Sequence, residues 1–284
     1  IISSSRISKA KKHVESLKRW LFKAALSGNR RLTEKITVLL KCSFDNYLIS
    51  FHRVTKSSGA KTAGVDGIKL KWNNEQDHKN TWKLIHEITA LGKKYRPKPL
   101  RRVYIPKLDN TKRPLGIPTH FDRLYQAILT TAIEVINEVI VNRHQLHTYG
   151  FRPKTRAADA IGTLAPYARP GNRGAVLDMD IEKCFDRISH SYLLNLVTEY
   201  GLGRYEQDIK RMLESGYIDI DGSLHDTATG TPQGGVISPA LSNLVLRNAL
   251  DIPISKLKIK NAATINCVTY ADDAVIVVSP SNKY

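Results

Sequence analysis

The sequence predicts an α+β domain, helices layered on a largely antiparallel sheet, and three observations predict it. Apolar residues recur at helical spacing through the first 55 residues and again from Thr119 to Ile140. Short segments such as "RRVYIPK", "AVLDMDI" and "VTYADDAVIVV" alternate with the two-residue period of strands. Strands and helices then follow one another without the strict repeat of a parallel βαβ sheet. With 284 residues, 42% of them hydrophobic, the chain can bury the core of one large domain or two smaller ones.

Taken in order, "HVESLKRWLFKAAL" puts Val14, Leu17, Leu21 and Ala24 on one stripe with cations elsewhere, so residues 5–55 should form two or three basic helices. "KSSGAKTAGVDGI", Lys56 to Ile68, is rich in Gly and Ser and predicts a loop. A helix is expected around Trp82 to Gly92. In residues 95–118, "YRPKPLRRVYIPKLDNTKRPLGIP", prolines forbid a helix, and two short basic strands flank the turn "LDNTK". "THFDRLYQAILTTAIEVINEVI" opens on a Thr119 to Asp122 capping box and predicts a long helix. "AVLDMDI" predicts a strand with Val176, Asp178 and Asp180 on one face and Leu177, Met179 and Ile181 on the other. Helices are expected over Ser189 to Tyr200 and Tyr205 to Ser215, then a hairpin around Asp221-Gly222 and a helix with Pro239 in its first turn. The last hairpin, Val268 to Val278, carries Asp272 and Asp273 at its bend. No internal repeat or low-complexity tract is visible.

Cys42, Cys184 and Cys267 are too widely spaced for a disulfide framework or a zinc site, which suits a reducing compartment. No unbroken apolar run approaches the roughly 20 residues that cross a bilayer, and no signal-peptide pattern opens the chain, so a soluble protein is expected. Ile1 is not a start methionine; a processed product or an excised fragment is expected, with organelle import left open. The net charge of +18 is unevenly spread. Residues 1–120 hold 27 Lys/Arg against 8 Asp/Glu, whereas residues 121–284 hold 17 against 18. Such a basic front points to a polyanion, and nucleic acid suits it better than an acidic membrane because no strong apolar face opposes the charge.

One aspartate at a hairpin bend needs no chemistry, because Asp is a good turn residue. Asp272 and Asp273 together, between the apolar runs "INCVT" and "AVIVV", repel one another unless a positive group compensates. A divalent metal is the natural compensator. With the strand-borne carboxylate of "DMDIEKCFD", three carboxylates from two strands suit a pair of Mg²⁺ ions about 4 Å apart, oriented for in-line displacement at phosphorus.

At this point the residues resemble a known family, the reverse transcriptases, and within it the reverse transcriptase/maturase proteins encoded by group II introns. "YADD" (270–273) is similar to polymerase motif C, "DIEKCFD" (180–186) to motif A, and "GTPQGGVISPALSNLVL" (230–246) to motif B. "KTAGVDGI", "YRPKPLRRVYIPK", "KRPLGIPTHFDR" and "YGFRPKTRAADAI" resemble upstream blocks of that branch, so the resemblance runs from about residue 61 onward. A YxDD alone is weak, but six or seven blocks in order are specific.

The resemblance implies that Asp180, Asp272, Asp273 and the Ile181 carbonyl hold two Mg²⁺ ions, and that Phe185 excludes a ribose 2′-hydroxyl. It assigns Lys107 and Arg113 to the triphosphate of an incoming dNTP and Gln233 to the nucleotide sugar and template. Arg101, Arg102, Arg152, Lys154 and Arg156 are expected near RNA phosphates. Asp178 is placed outside the metal set, and Asp186 is expected to fix the turn into the next helix. The implied fold is the fingers and palm of a right-hand polymerase, with an antiparallel palm sheet packed on helices. Its parts are a basic helical extension (1–60), fingers (61–174) and an incomplete palm (175–284). The chain stops 11 residues after Asp273, so the thumb is expected to be absent from it.

The implied activity is RNA-directed DNA polymerisation, with intron RNA, and RNA template with DNA primer, as partners; no membrane is expected, and homodimer formation is left open. The alternatives are an RNA-binding splicing factor with secondary or lost polymerisation, or a related retron or CRISPR-associated reverse transcriptase. A bacterial cytoplasm is the expected compartment, with a eukaryotic organelle as the alternative.

Overall fold

A computed structural model describes residues 2–106, 111–167, 175–257 and 262–280. Three helices come first: α1 (Ser4–Leu26), α2 (Arg30–Cys42) and α3 (Phe44–Lys56). Each opens on a polar side chain that accepts a free backbone N–H, from Ser3, Asn29 and Ser43. A loop containing one 3₁₀ turn leads to α4 (Glu75–Thr89), which starts about two turns earlier than its apolar pattern suggests because Asn74 caps it.

The basic hairpin follows as predicted, with β1 (Leu100–Pro106) antiparallel to β2 (Lys112–Ile117). After α5 (His120–His144) come β3 (His147–Thr148), α6 (Ala157–Leu164), β4 (Ala175–Asp180) and α7 (Cys184–Arg187). Then come α8 (His190–Glu199), α9 (Glu206–Leu213), β5 (Tyr217–Ile218), β6 (Leu224–His225), α10 (Ser238–Leu246) and α11 (Ile252–Ser255). The described chain ends in the hairpin of β7 (Ala262–Tyr270) and β8 (Asp273–Pro280).

The strands form two sheets rather than one, in the orders β2-β1-β5-β6 and β3-β7-β8-β4. Both are mainly antiparallel, but β1/β5 and β3/β7 are parallel pairings. These involve strands of only two residues, too short to leave a periodic signal in the sequence.

The core is organised on α5, whose Leu124, Ile128, Ile133 and Ile136 are buried almost completely. Leu21 of α1, Ile36 of α2 and Phe51 of α3 belong to the same apolar cluster, as do Leu196 of α8, Ile209 of α9 and Leu241 of α10. The basic N-terminal helices therefore share one core with the second half of the chain. Although α5 is long and apolar enough to cross a membrane, it is mostly buried within the protein, which is the pattern of a core helix.

The cap of α5 differs from a full capping box. Thr119 accepts the Asp122 N–H, but the Asp122 carboxylate accepts from the hydroxyls of Thr119 and Tyr95, each at 2.6 Å. Polar side chains, Ser238, Ser242, Asn243, Arg247 and Asp251, are also buried among the apolar ones along α10 and in the π-turn after it, Arg247–Asp251.

Candidate active site

The second sheet brings the predicted carboxylates together. Asp180, the last residue of β4, lies directly opposite Asp273, the first residue of β8. Tyr270 and Asp273 close the β7/β8 hairpin, so its bend is Ala271-Asp272. Only Asp272 occupies the turn; Asp273 belongs to the strand and shares a face with Asp180. Asp178 lies two residues back along β4, on that same face.

The electrostatics agree with this placement. The Asp273 carboxyl is pushed above its ordinary range by partial burial and by the negative charges of Asp272, Asp180 and Asp178. Asp178 is thus a member of the cluster, which the sequence had left outside. Among the described residues no Lys, Arg or His forms an ion pair with any of the four. Nor do three His, Cys, Asp or Glu side chains there already gather closely enough to hold a metal ion. An uncompensated like-charge set keeps its members apart, and hard carboxylate oxygens are the donors that Mg²⁺ or a similar cation takes. The donor chemistry therefore fits a divalent cation. The Ile181 carbonyl accepts the Cys184 N–H at 3.2 Å in the following turn, which leaves it a second lone pair.

Cys184 is the reactive side chain nearest this cluster. Burial and the charges of Asp272 and Asp180 raise its thiol to about 11, so it stays protonated at neutral pH and is no nucleophile. Phe185 beside it is 9% exposed and packs edge to face on Phe151, ring centroids 5.9 Å apart. Its carbonyl accepts the Thr231 N–H at 2.7 Å, tying the segment after β4 to the loop before α10.

That loop carries Gln233. Its amide accepts from Arg113 Nε at 2.9 Å and donates to Asp186 at 3.1 Å, while its carbonyl accepts the Gly116 N–H at 2.7 Å. Arg113 and Gln233, assigned separately from the sequence, thus meet, and the Asp186 carboxylate holds the glutamine, whereas its expected hold on its own turn is made by the backbone, the Asp186 N–H donating to the Lys183 carbonyl at 2.9 Å. Lys107 lies outside the described residues.

The other predicted cations are dispersed. The Arg102 guanidinium lies 3.7 Å from the centre of the Tyr217 ring, which stacks in turn on His225. Arg101 is half-buried next to it on β1. Lys154 and Arg156 are exposed. Arg152 is held inside the protein by both oxygens of Glu138, at 2.7 Å each, and by the Thr148 carbonyl at 2.6 Å. Its fork geometry was legible in the sequence, but its carboxylate partner was not.

Two supports of the bend were not singled out from the sequence. Gly150 lies so close to Ala271 that an added Cβ would stand 2.0 Å from the Ala271 nitrogen. Asn243 of α10 donates to the Gly150 carbonyl at 3.0 Å. Ala271 itself has φ of 60°, the left-handed conformation such a turn needs and a non-glycine residue rarely takes. In the π-turn after α10, Arg247 is buried, and Asp251 accepts a hydrogen bond from Thr269, two residues before the bend.

The geometry can be set beside known proteins. The family described as reverse transcriptase (RNA-dependent DNA polymerase) matches residues 105–283, and the N-terminal domain of reverse transcriptase matches residues 4–87. The group II intron-encoded protein LtrA of Lactococcus lactis subsp. cremoris is 32% identical over 218 residues, covering 76% of this chain and 34% of that protein. Protein YkfC of Escherichia coli is 36% identical over 207 residues, covering 70% of this chain and 52% of its own length. The chain thus spans about a third to a half of these relatives. A telomerase from Candida albicans, solved with a fragment of telomeric RNA, superposes on 66% of the chain and 38% of its own, with a TM-score of 0.49 and 13% identity.

Proposed function

Since the chain belongs to the reverse transcriptase family, we propose that it contains the fingers and most of the palm of a group II intron reverse transcriptase, a polymerase that also binds its intron RNA as a maturase. The observation that carries this reading is the strand register that sets Asp180 opposite Asp273, with Asp272 in the adjoining bend.

In the reaction, the primer 3′-oxygen forms a bond to the α-phosphorus of a dNTP as the bond to pyrophosphate breaks. Two Mg²⁺ ions, when bound, would make the 3′-hydroxyl more acidic and neutralise charge on the leaving pyrophosphate. Asp180, Asp272 and Asp273 supply oxygens to hold them, with a neutral oxygen from Ile181. Arg113 offers a planar fork to the phosphates. Gln233 orients that fork until a nucleotide takes its place. Cys184 and Phe185 exclude water beneath the site.

The test is Mg²⁺-dependent dNTP incorporation on a primed RNA template by the full-length parent protein and its Asp272→Asn variant. Incorporation should fall by at least about a thousandfold in the variant, since an anionic ligand for the cations that would neutralise transition-state charge is lost. Equal incorporation by the two proteins refutes the role of the bend.

Phe185 is the residue proposed to sense the sugar. Because its ring is fixed by Phe151 and closed in on its other sides, it cannot yield to an extra oxygen. Phe185→Ala is expected to relax discrimination against rNTPs by on the order of tenfold to a hundredfold, measured as the ratio of kcat/KM for dNTP and rNTP. An unchanged ratio removes the assignment.

The maturase part rests on the cationic first 120 residues. Intron RNA affinity should fall about tenfold or more between 50 and 200 mM salt, as counterion release requires, and a flat response contradicts this part. Protein that binds RNA in this way but incorporates nothing would instead be a splicing factor.

A further inference from the structure

A large pocket, lined by none of the residues of the acidic cluster, lies between α4, the segment 66–70, the segment 93–98 and the start of α5. Its volume is about 790 Å³, within the range of small-molecule and nucleotide sites. Leu70, Leu84, Ile88 and Phe121 form apolar walls.

The polar groups divide by sign and depth. Asp122 is 3% exposed and held in place by Tyr95 and Thr119. Asp66, Asp77 and Asn80 also line the pocket, so oxygen acceptors predominate in its polar lining, with the Asp122 carboxylate already accepting from Tyr95, Thr119 and the Lys98 N–H. At the mouth, Lys93, Lys94, Arg96 and Lys98 are all exposed. Lys93 pairs with Glu87 and Lys98 with Asp66, but among the described residues Lys94 and Arg96 form no ion pair.

We propose that this pocket receives one unpaired base of a bound RNA, with an exocyclic amine turned toward Asp66 and Asp122 and the flanking phosphates on Lys94 and Arg96. Only a nucleotide matches all three zones: a flat apolar body for the walls and Phe121, amine donors for the acceptors inside, and an anion for the cations outside. An acidic peptide fits the mouth but meets carboxylates within. The proposal rests on the RNA-binding part of the reading above and not on polymerisation.

The probe is a labelled RNA hairpin with a single bulged adenosine, compared with the same hairpin carrying an abasic nucleotide at that place. Binding is followed by fluorescence anisotropy for the whole chain and for Asn80→Trp. Asn80 is exposed on α4, so the larger ring can plug the pocket without entering the core. The native chain should prefer the adenosine bulge on the order of tenfold, the usual worth of one stacked base. Asn80→Trp should abolish the preference and leave the abasic affinity unchanged, while Lys94→Ala with Arg96→Ala should weaken both hairpins equally.

Equal affinity of the native chain for the two hairpins, or a preference that survives Asn80→Trp, overturns the proposal. Primer extension by the parent protein separates the two ideas. Extension without a base preference defeats the pocket alone, and a preference without extension defeats the polymerase alone. No binding of either hairpin defeats the pocket and the RNA-binding reading together.

Discussion

Gly150→Ala is expected to lower dNTP incorporation by about a hundredfold while the protein remains folded. The added Cβ would stand 2.0 Å from the Ala271 nitrogen, 2.7 Å from its Cα and 2.8 Å from the Tyr270 carbonyl carbon. All three atoms are backbone, so no side chain can swing aside. Asn243 holds the Gly150 carbonyl from the helix behind it, which stops the loop from retreating. The bend must then move instead, carrying Asp272 and Asp273 with it. A displacement near 1 Å at reacting groups costs about two orders of magnitude. The matched control is Gly162→Ala on α6, where nothing lies within 4 Å of the new methyl. That variant should keep its rate and melt slightly higher, as alanine does for glycine within a helix. Circular dichroism shows whether both variants fold, and a Gly150→Ala enzyme as fast as its control would mean that the contact does not fix the bend.

Asp273→Asn should show two opposite effects: incorporation falls by about a thousandfold or more, and the metal-free protein becomes more stable. The Asp273 carboxyl is raised by burial first and then by Asp272, Asp180 and Asp178, so its ionised form is disfavoured in the folded protein. For a carboxyl with a raised folded pKa, the stability present at low pH is lost as the pH climbs through that value. The neutral amide avoids the loss. At pH 7 in chelator a small rise in Tm is expected, kept small by the exposure of the side chain, and it should shrink as the pH falls toward the ordinary carboxylate range. Added Mg²⁺ should stabilise the native protein and have much less effect on the variant. A native protein whose Tm ignores Mg²⁺, or a variant that melts lower than native in chelator, would count against a cation-binding cluster.

The helices were legible in the sequence because their signals are local. Ser43 and Thr119 stand where caps belong, and stripes such as Val14, Leu17 and Leu21 fix which face is buried. Asp180, Asp272 and Asp273 were also legible, two by adjacency and Asp180 by the likeness of "DIEKCFD" to a polymerase motif, although their meeting depends on a pairing between distant segments. Contacts that exist only after folding were not readable. Arg152 looks like a phosphate ligand until the face of α5 supplies Glu138. Asp178 is exposed, and only the pairing with β8 brings its charge to bear on Asp273. Gly150 carries no local mark of the bend it touches, and the division into two sheets depends on two-residue strands.

The strand that bears Asp180 has a further consequence for handling the protein. Among the described residues β4 is hydrogen-bonded on one side alone, to β8, and its Val176 and Leu177 are 66% and 53% exposed. An unprotected ladder with apolar side chains recruits any extended chain that reaches it, including another copy of itself. Concentrated stocks should therefore self-associate through this rim. A short β-forming peptide that docks there would lie directly beside the strand that bears Asp178 and Asp180.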